Sequence, residues 1–229
     1  MAKYKYLLWD IDGTILNFEV AERAAIRSLF DKFNLGTCSD EMLVCYSQIN
    51  KKYWQLMETG KLKKDKMLVE RFIEFFSHKG INADIAAEFN KEYQTALCDT
   101  IVFNDDAIDV IKHQKKTCKI IIVTNGTKVV QEKKLESSGL NDIVDNVFIS
   151  ELVGFEKPNV KFFEKVISEA GINDLKEALI IGDSLTSDIQ GGHNIGIDTC
   201  WYNPKNEENE TLLKPTYIIK NLHELENII

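Results

Sequence analysis

A doubly wound α/β domain interrupted by an all-helical insertion is the architecture this sequence predicts, and three observations carry the prediction. Six short apolar runs of the kind that suits strands buried on both faces punctuate the chain. Amphipathic stretches of helical period separate the later runs, the alternation of a parallel sheet wrapped by helices. Between about Phe18 and Leu97 that alternation stops, and helical patterns follow one another with no strand-like run.

In chain order, the first run is "YKYLLWD" (4–10). Helices are then expected at about 18–34, 40–58, 65–79 and 84–98, with Asp40, Asp65 and Asp84 as N-caps and Gly36, Gly60 and Gly80 as C-terminal stops. The runs "CKIIIVTN" (118–125), "DNVFIS" (145–150), "EALIIGD" (177–183), "DTCWY" (198–202) and "TYIIK" (216–220) follow, with helical stretches at 127–138, 158–170 and 187–194. "NPKNEENETLLKP" (203–215) reads as a polar surface loop. The expected domains are an α/β core of residues 1–17 and 100–229 and a helical domain of residues 18–99.

At 229 residues and 44% hydrophobic content, the chain is long enough for one domain with an insertion or for two small domains. No apolar run approaches the roughly 18 residues of a membrane span, and "MAKYKYLLWD" reaches Asp10 too soon for a secretory signal, so no membrane and a cytoplasmic location are expected. Five scattered cysteines without a CxxC pair argue for reduced thiols. A formal net charge of −8 disfavours a nucleic-acid partner, while a small anion remains open to a locally positive patch. Nothing in the chain bears on oligomeric state.

The chemistry concentrates at the ends of the runs. In "LWDIDGT", alternate residues of a strand share a face, so Asp10 and Asp12 point the same way at the end of a sheet where ligands bind. Taken alone, this is equally an acidic Asp-Gly turn. The run 118–125 ends in Thr124-Asn125-Gly126, and the run 177–183 ends in Gly182-Asp183, with Asp188 further on in "GDSLTSD". Between them Lys157 stands before a proline in "EKP". Three sheet termini and one loop thus supply carboxylate, hydroxyl, carboxylate and ammonium groups. The four histidines, His78, His113, His193 and His223, share no metal-ligand spacing. "GGHNIGI" does not match GxGxxG, and neither a G-x-S-x-G elbow nor a P-loop occurs.

In order, DxDGT, T-N, K and GDxxxxD resemble the four motifs of the haloacid dehalogenase (HAD) superfamily of phosphohydrolases, over about 1–17 and 100–229. The resemblance implies a Rossmann-like core, a Mg2+ cofactor, an aspartyl-phosphate intermediate, and a helical insertion that acts as a cap closing over the site. It makes Asp10 the nucleophile and Asp12 the acid that protonates the leaving alkoxide and then the base that activates water. Asp10, the backbone carbonyl of Asp12 and Asp183 become metal ligands, and Thr124, Asn125 and Lys157 neutralise the phosphoryl oxygens. Asp188 is expected to support Lys157 or its loop. Dehalogenases of the superfamily lack the second aspartate, so Asp12 points to phosphate esters.

Within the insertion, Leu43, Tyr46, Asn50, Tyr53, Trp54 and Met57 share one helix face, and Arg71 joins Leu68, Phe72 and Phe75 on the next. Asn50 reads either as a buried structural amide or as a reader of a nucleobase edge, and Arg71 either snorkels or contacts substrate. "INKKYWQLMETGKL", "ISELVGFEKPN", "GDSLTSDIQGGHNIGIDTCWYN" and "LHELENII" are similar to the pyrimidine 5'-nucleotidase branch, which implies a nucleoside monophosphate substrate. Asn104-Asp105 departs from it where Pro-Gly is usual, and Ile195 where a small residue is. A sugar-phosphate phosphatase, a phosphomutase and a noncatalytic phosphoryl-binding protein are the alternatives.

Overall fold

The computed structural model describes residues 3–229. Along the chain the regular elements are β1 (Tyr6–Trp9), α1 (Phe18–Lys32), α2 (Asp40–Glu58), α3 (Lys64–Lys79), α4 (Ala86–Ala96), α5 (Ala107–Gln114), β2 (Lys119–Thr124), α6 (Lys128–Ser138) and β3 (Asn146–Ile149). They continue with α7 (Ser150–Val153), α8 (Val160–Ala170), β4 (Ala178–Gly182), α9 (Gln190–Ile195), β5 (Asp198–Tyr202) and β6 (Tyr217–Ile219). The chain divides into two compact units, one of residues up to Asn17 together with Phe103–Ile229, the other Phe18–Val102.

The first unit is α/β. Its six strands form one sheet of order β3-β2-β1-β4-β5-β6 in which every pairing is parallel. β1, β2 and β4 are almost wholly buried, which is why they read as continuous apolar runs instead of alternating ones. Leu8, Ile121, Val123 and Ile180 pack with Phe162, Phe163 and Val166 of α8 to form a core on one face. The chain winds from β1 outward through β2 and β3 and then crosses to β4 on the other flank of β1. The loops leaving β1 and β4 therefore diverge at a switch point, the place where open α/β sheets hold ligands. β1 is in register with both neighbours, Trp9 opposite Ile122 of β2 and Ile181 of β4, so the strand exits lie at neighbouring heights.

The second unit is all helical. Phe30, Tyr46, Phe72, Phe75, Phe76, Phe89 and Tyr93 make a connected aromatic core; Tyr46 and Phe72 stack with centroids 5.0 Å apart, and Phe76 meets Phe89 edge-on at 5.0 Å. Helix starts differ from expectation. Ser39, not Asp40, caps α2, its extended backbone letting the side chain accept from the Met42 N–H, while Asp40 is the first helical residue and pairs with Arg27 at 2.6 Å. Lys63 precedes α3, with Asp65 in the first turn. Asn82 caps the 3-10 turn Ala83–Ile85 that leads into α4, and Asp84 lies inside that turn. Aspartate in a first turn satisfies the helix dipole as well as one at the cap position does, so residue type alone does not separate the two. At the C-terminal ends, Gly80 caps α3 in the left-handed region, and α1 stops at Lys32, short of Gly36.

Candidate active site

Asp10 is the first residue beyond β1. Its N–H still donates to Ile181 O of β4 at 3.0 Å, so the residue is anchored by the sheet and its side chain projects over the sheet's carboxyl end. Lys157, 1% exposed, reaches it from the loop before α8 and donates from Nζ to Asp10 Oδ1 at 2.7 Å, to Asp188 Oδ1 at 2.7 Å and to the Val123 carbonyl at 2.8 Å. Three acceptors use all three ammonium hydrogens. Asp188 sits in the π-helical turn Leu185–Ile189, and its other oxygen accepts from the Ser184 N–H at 3.1 Å.

Asp183 follows β4 and is the exposed member of the group. Its Oδ1 accepts from Thr14 Oγ1 at 3.3 Å, and its backbone carbonyl accepts from Trp201 Nε1 at 2.9 Å. Gly13 makes room for it. With φ +96°, and with a Cβ that would stand 2.4 Å from Asp183 Oδ2, this position admits no side chain without displacing the carboxylate.

Thr124 ends β2, fully buried, and its Oγ1 accepts from the Gly126 N–H at 3.1 Å. The Asn125 amide grips the Lys157 backbone at both ends: Nδ2 donates to Lys157 O at 2.9 Å and Oδ1 accepts from Lys157 N at 2.8 Å. The side chain is thus turned to the Lys157 backbone.

Asp12, half-buried, lies beside this cluster with its carboxylate held from α6. Gln131 Nε2 donates to Asp12 Oδ2 at 2.6 Å, and Lys134 Nζ bonds Asp12 Oδ1. Neither residue is visible in motif spacing. The available signal is a lysine and a glutamine on the same helix face as Val130 and Leu135, a polar pair where a helix facing the core should be apolar. Asn104 also joins the site, donating from Nδ2 to the Gly13 and Thr14 carbonyls at 3.1 and 3.0 Å and so tying down the loop after β1.

The remaining predicted residues, Asn50 and Arg71, lie inside the helical unit. Asn50 Nδ2 donates to Glu22 Oε1 at 2.7 Å, and Asn50 Oδ1 accepts from Arg71 Nη1 at 2.7 Å. Arg71 is 1% exposed, so it is enclosed along its whole length and does not snorkel. Both amide ends of Asn50 are occupied by these neighbours, the arrangement of a buried structural amide, and Arg71 is held within the same network.

The electrostatics of the first cluster are unbalanced. Burial pushes the Asp10 carboxyl well above its ordinary range, and the charges of Asp188 and Asp183 add to the rise, against the pull of Lys157. Burial would lower the Lys157 ammonium, but Asp10 and Asp188 on either side outweigh it and raise its pKa, so it stays charged. Three carboxylates thus face one ammonium. One oxygen from each of Asp10, Asp183 and Asp188 lies within 4.8 Å of the other two, an all-oxygen donor set of the kind that suits a hard divalent cation. The residues fit such an ion in both charge and donor type. Asp188 is engaged by Lys157 at one oxygen and by the Ser184 N–H at the other, while Asp183 is the member most open to solvent.

This chain is similar over its full length to several curated proteins. The HAD-hydrolase YfnB of Bacillus subtilis (strain 168) is 38% identical over 100% of this chain and 97% of its own. Its crystal structure, bound to magnesium and revealing interdomain movement, matches with a TM-score of 0.92 at 37% identity, covering 99% of this chain and 98% of that one. The pyrimidine 5'-nucleotidase PynA of Streptococcus pneumoniae (strain ATCC BAA-255 / R6) is 35% identical over 97% of this chain and 93% of its own. YjjG of Escherichia coli (strain K12), also a pyrimidine 5'-nucleotidase, is 29% identical over 99% and 98%. A glyceraldehyde 3-phosphate phosphatase of Pyrococcus furiosus is more distant, 25% identical over 88% and 82%. The family profile for "Haloacid dehalogenase-like hydrolase" matches residues 7–202, and with these relatives it shows that the chain belongs to the haloacid dehalogenase-like hydrolases.

Proposed function

We propose that this hydrolase is a Mg2+-dependent phosphomonoesterase acting on pyrimidine nucleoside monophosphates through an aspartyl-phosphate on Asp10. One observation carries the reading: a buried, charged Lys157 locks Asp10 beside Asp183 in a cluster with more carboxylates than cations, a place made for a phosphate dianion and a divalent ion together. The full-length likeness to PynA and YjjG supports the choice of substrate.

In the first step Asp10 Oδ attacks phosphorus in line, the ester P–O bond breaks, and Asp12 delivers its proton to the departing 5'-alkoxide. In the second, Asp12 takes a proton from water as the water oxygen attacks phosphorus, releasing phosphate and restoring Asp10 and the protonated Asp12. Lys157 balances the phosphoryl charge, and Asn125 and Asp188 keep it in place. Asp10, the Asp12 backbone carbonyl and Asp183 would hold Mg2+, which when bound offsets the repulsion between phosphate and the carboxylates. Asn125 acts in this scheme through Lys157, and Thr124 through its hydroxyl at the phosphoryl oxygens.

No helix among the described residues is long and apolar enough to cross a membrane, which accords with a cytoplasmic enzyme working on a small phosphorylated metabolite. The test is phosphate release by the purified protein across a phosphomonoester panel. Turnover of uridine and thymidine monophosphates, lost with EDTA and restored by Mg2+, is the expected result. A preference for triose or pentose phosphates would overturn the substrate and favour the second reading, a sugar-phosphate phosphatase, which the likeness to glyceraldehyde 3-phosphate phosphatase supports.

A further inference from the structure

We infer that Gln131 and Lys134 of α6 are positioning residues that set the orientation of the Asp12 carboxylate, an inference that rests on the phosphatase reading above. Asp12 sits in the loop after β1, and its carboxylate is partly open to solvent. A carboxylate there would ordinarily sample several rotamers, and fixing one costs side-chain entropy. The structure fixes it from outside the loop. Gln131 Nε2 donates to one oxygen at 2.6 Å and Lys134 Nζ to the other, so the plane of the carboxylate is defined by two donors. Each oxygen retains a second lone pair, and those two directions are the ones from which a proton can be given or received.

Two further features mark this as a constructed contact. Gln131 and Lys134 are 0% and 1% exposed and lie on the buried face of α6 with Val130 and Leu135, where an apolar residue would pack at less cost in desolvation. Spacing of three residues along a helix stacks the two side chains on one face, so both reach the same target. Gly126, directly after the Thr124-Asn125 pair, provides the passage: a Cβ there would stand 2.0 Å from Gln131 Nε2. The glycine that ends β2's motif and the helix that follows it are therefore matched to Asp12, across 119 and 122 residues of sequence. Orientation supplied by the fold does not have to be recovered at each turnover, which is how positioned acid–base groups gain their rate advantage.

Leaving-group dependence separates positioning from a merely structural tie. Uridine monophosphate expels an alkoxide that needs a proton; p-nitrophenyl phosphate expels a phenolate that does not. For Gln131→Leu and Lys134→Met, each keeping apolar volume on α6, kcat on uridine monophosphate is expected to fall by about 10- to 100-fold with KM within about twofold of the parent. The nitrophenolate burst, which reports phosphorylation of Asp10, is expected to stay within about threefold, while acid-trapped acyl phosphate accumulates because water is poorly activated. Urea melting identifies any variant that has lost its fold, and either variant alone suffices. A nitrophenolate burst slowed as much as kcat on uridine monophosphate, or an unchanged kcat on uridine monophosphate, would overturn the inference while Asp10→Asn remains inactive. If Asp10→Asn itself turns over at the parental rate, the covalent phosphatase reading fails and this inference with it.

Discussion

Each unit of this protein encloses a network of charged side chains, and the two differ in stoichiometry. In the helical unit one carboxylate, Glu22, and one guanidinium, Arg71, are joined through the Asn50 amide, and Arg71 further donates to Asn90 Oδ1 at 3.1 Å and to the Leu68 carbonyl at 3.2 Å. The guanidinium also lies over the Phe72 and Tyr93 rings, 5.0 and 5.1 Å from their centroids. Burial raises the Glu22 carboxyl, partly offset by hydrogen bonds from Ser47 and Asn50 and by the charge of Arg71. Charges cancel and donors find acceptors. In the α/β unit Asp10 and Asp188 share the Lys157 ammonium, and a third carboxylate of the same cluster, Asp183, opens to solvent. Ionisable side chains form a closed structural tie where charge balances and the enclosure is complete, and a candidate binding site where charge is left over and one member faces solvent.

The largest test removes the nucleophile. Asp10→Asn is expected to lower phosphate release by roughly 10⁴-fold or more, with the circular dichroism spectrum retained, because an amide oxygen is a poor nucleophile and the substitution relieves charge crowding in the fold. Retained turnover would place the chemistry elsewhere.

Next in size is the balanced network. Asn50→Leu removes the amide that joins Glu22 to Arg71, leaving Glu22 with Ser47 and Arg71 with Asn90 and the Leu68 carbonyl, and is expected to cost about 3 kcal/mol in urea denaturation. A cost near zero would mean that the pair gains little from its bridge. A comparable effect of opposite sign belongs to the unbalanced site: adding Mg2+ at about 100 times its dissociation constant is expected to stabilise the protein by about 2.7 kcal/mol. Asp183→Asn should abolish that gain, and thermal melting with and without the ion measures it.

The smallest effect calibrates the comparison away from both networks. Asp145 accepts from the Ile120 N–H at 2.7 Å and pairs with Lys115 in a partly exposed setting. Its burial would raise the carboxyl, but Lys115, the Ile120 N–H and Lys119 outweigh it and hold the pKa below the ordinary value. A carboxyl lowered in the folded state contributes stability above the unfolded pKa of about 4, and that contribution is lost as pH falls through the folded value. Asp145→Asn is therefore expected to cost about 1 kcal/mol at pH 7, with the two proteins converging in strongly acidic solution. A difference that persists there would show that the hydrogen bond, and not the charge, carries the contribution.

The strands were legible because a strand buried on both faces leaves an uninterrupted apolar signature, as in "KIIIVT" of β2 and "ALIIG" of β4. Helix starts were less legible, since the cap at Ser39 depends on a backbone angle that its neighbour Asp40 could equally have adopted. At the site, Asp10, Asp12 and Asp183 stand out as carboxylates at strand exits, and Lys157 as an ammonium in the loop before α8. Gln131 and Lys134 do not, because helical periodicity counts them as misplaced polar residues and says nothing of what they reach. Asn50 and Arg71 show the converse: the spacing identified their helix faces, but whether an amide on that face meets a base or a glutamate depends on a third helix.

The amino-acid order alone determined which reactive groups this protein has and at which ends of which strands they emerge, because local hydrophobic pattern dictates strand and helix. Only the tertiary structure decided who meets whom: Lys157 with Asp10 across 147 residues, Lys134 with Asp12 across 122, Asn125 with the Lys157 backbone across 32. Hydrogen bonds and ion pairs are short-ranged and directional. Their partners follow from strand order, register and helix rotation, quantities that no local stretch of sequence contains.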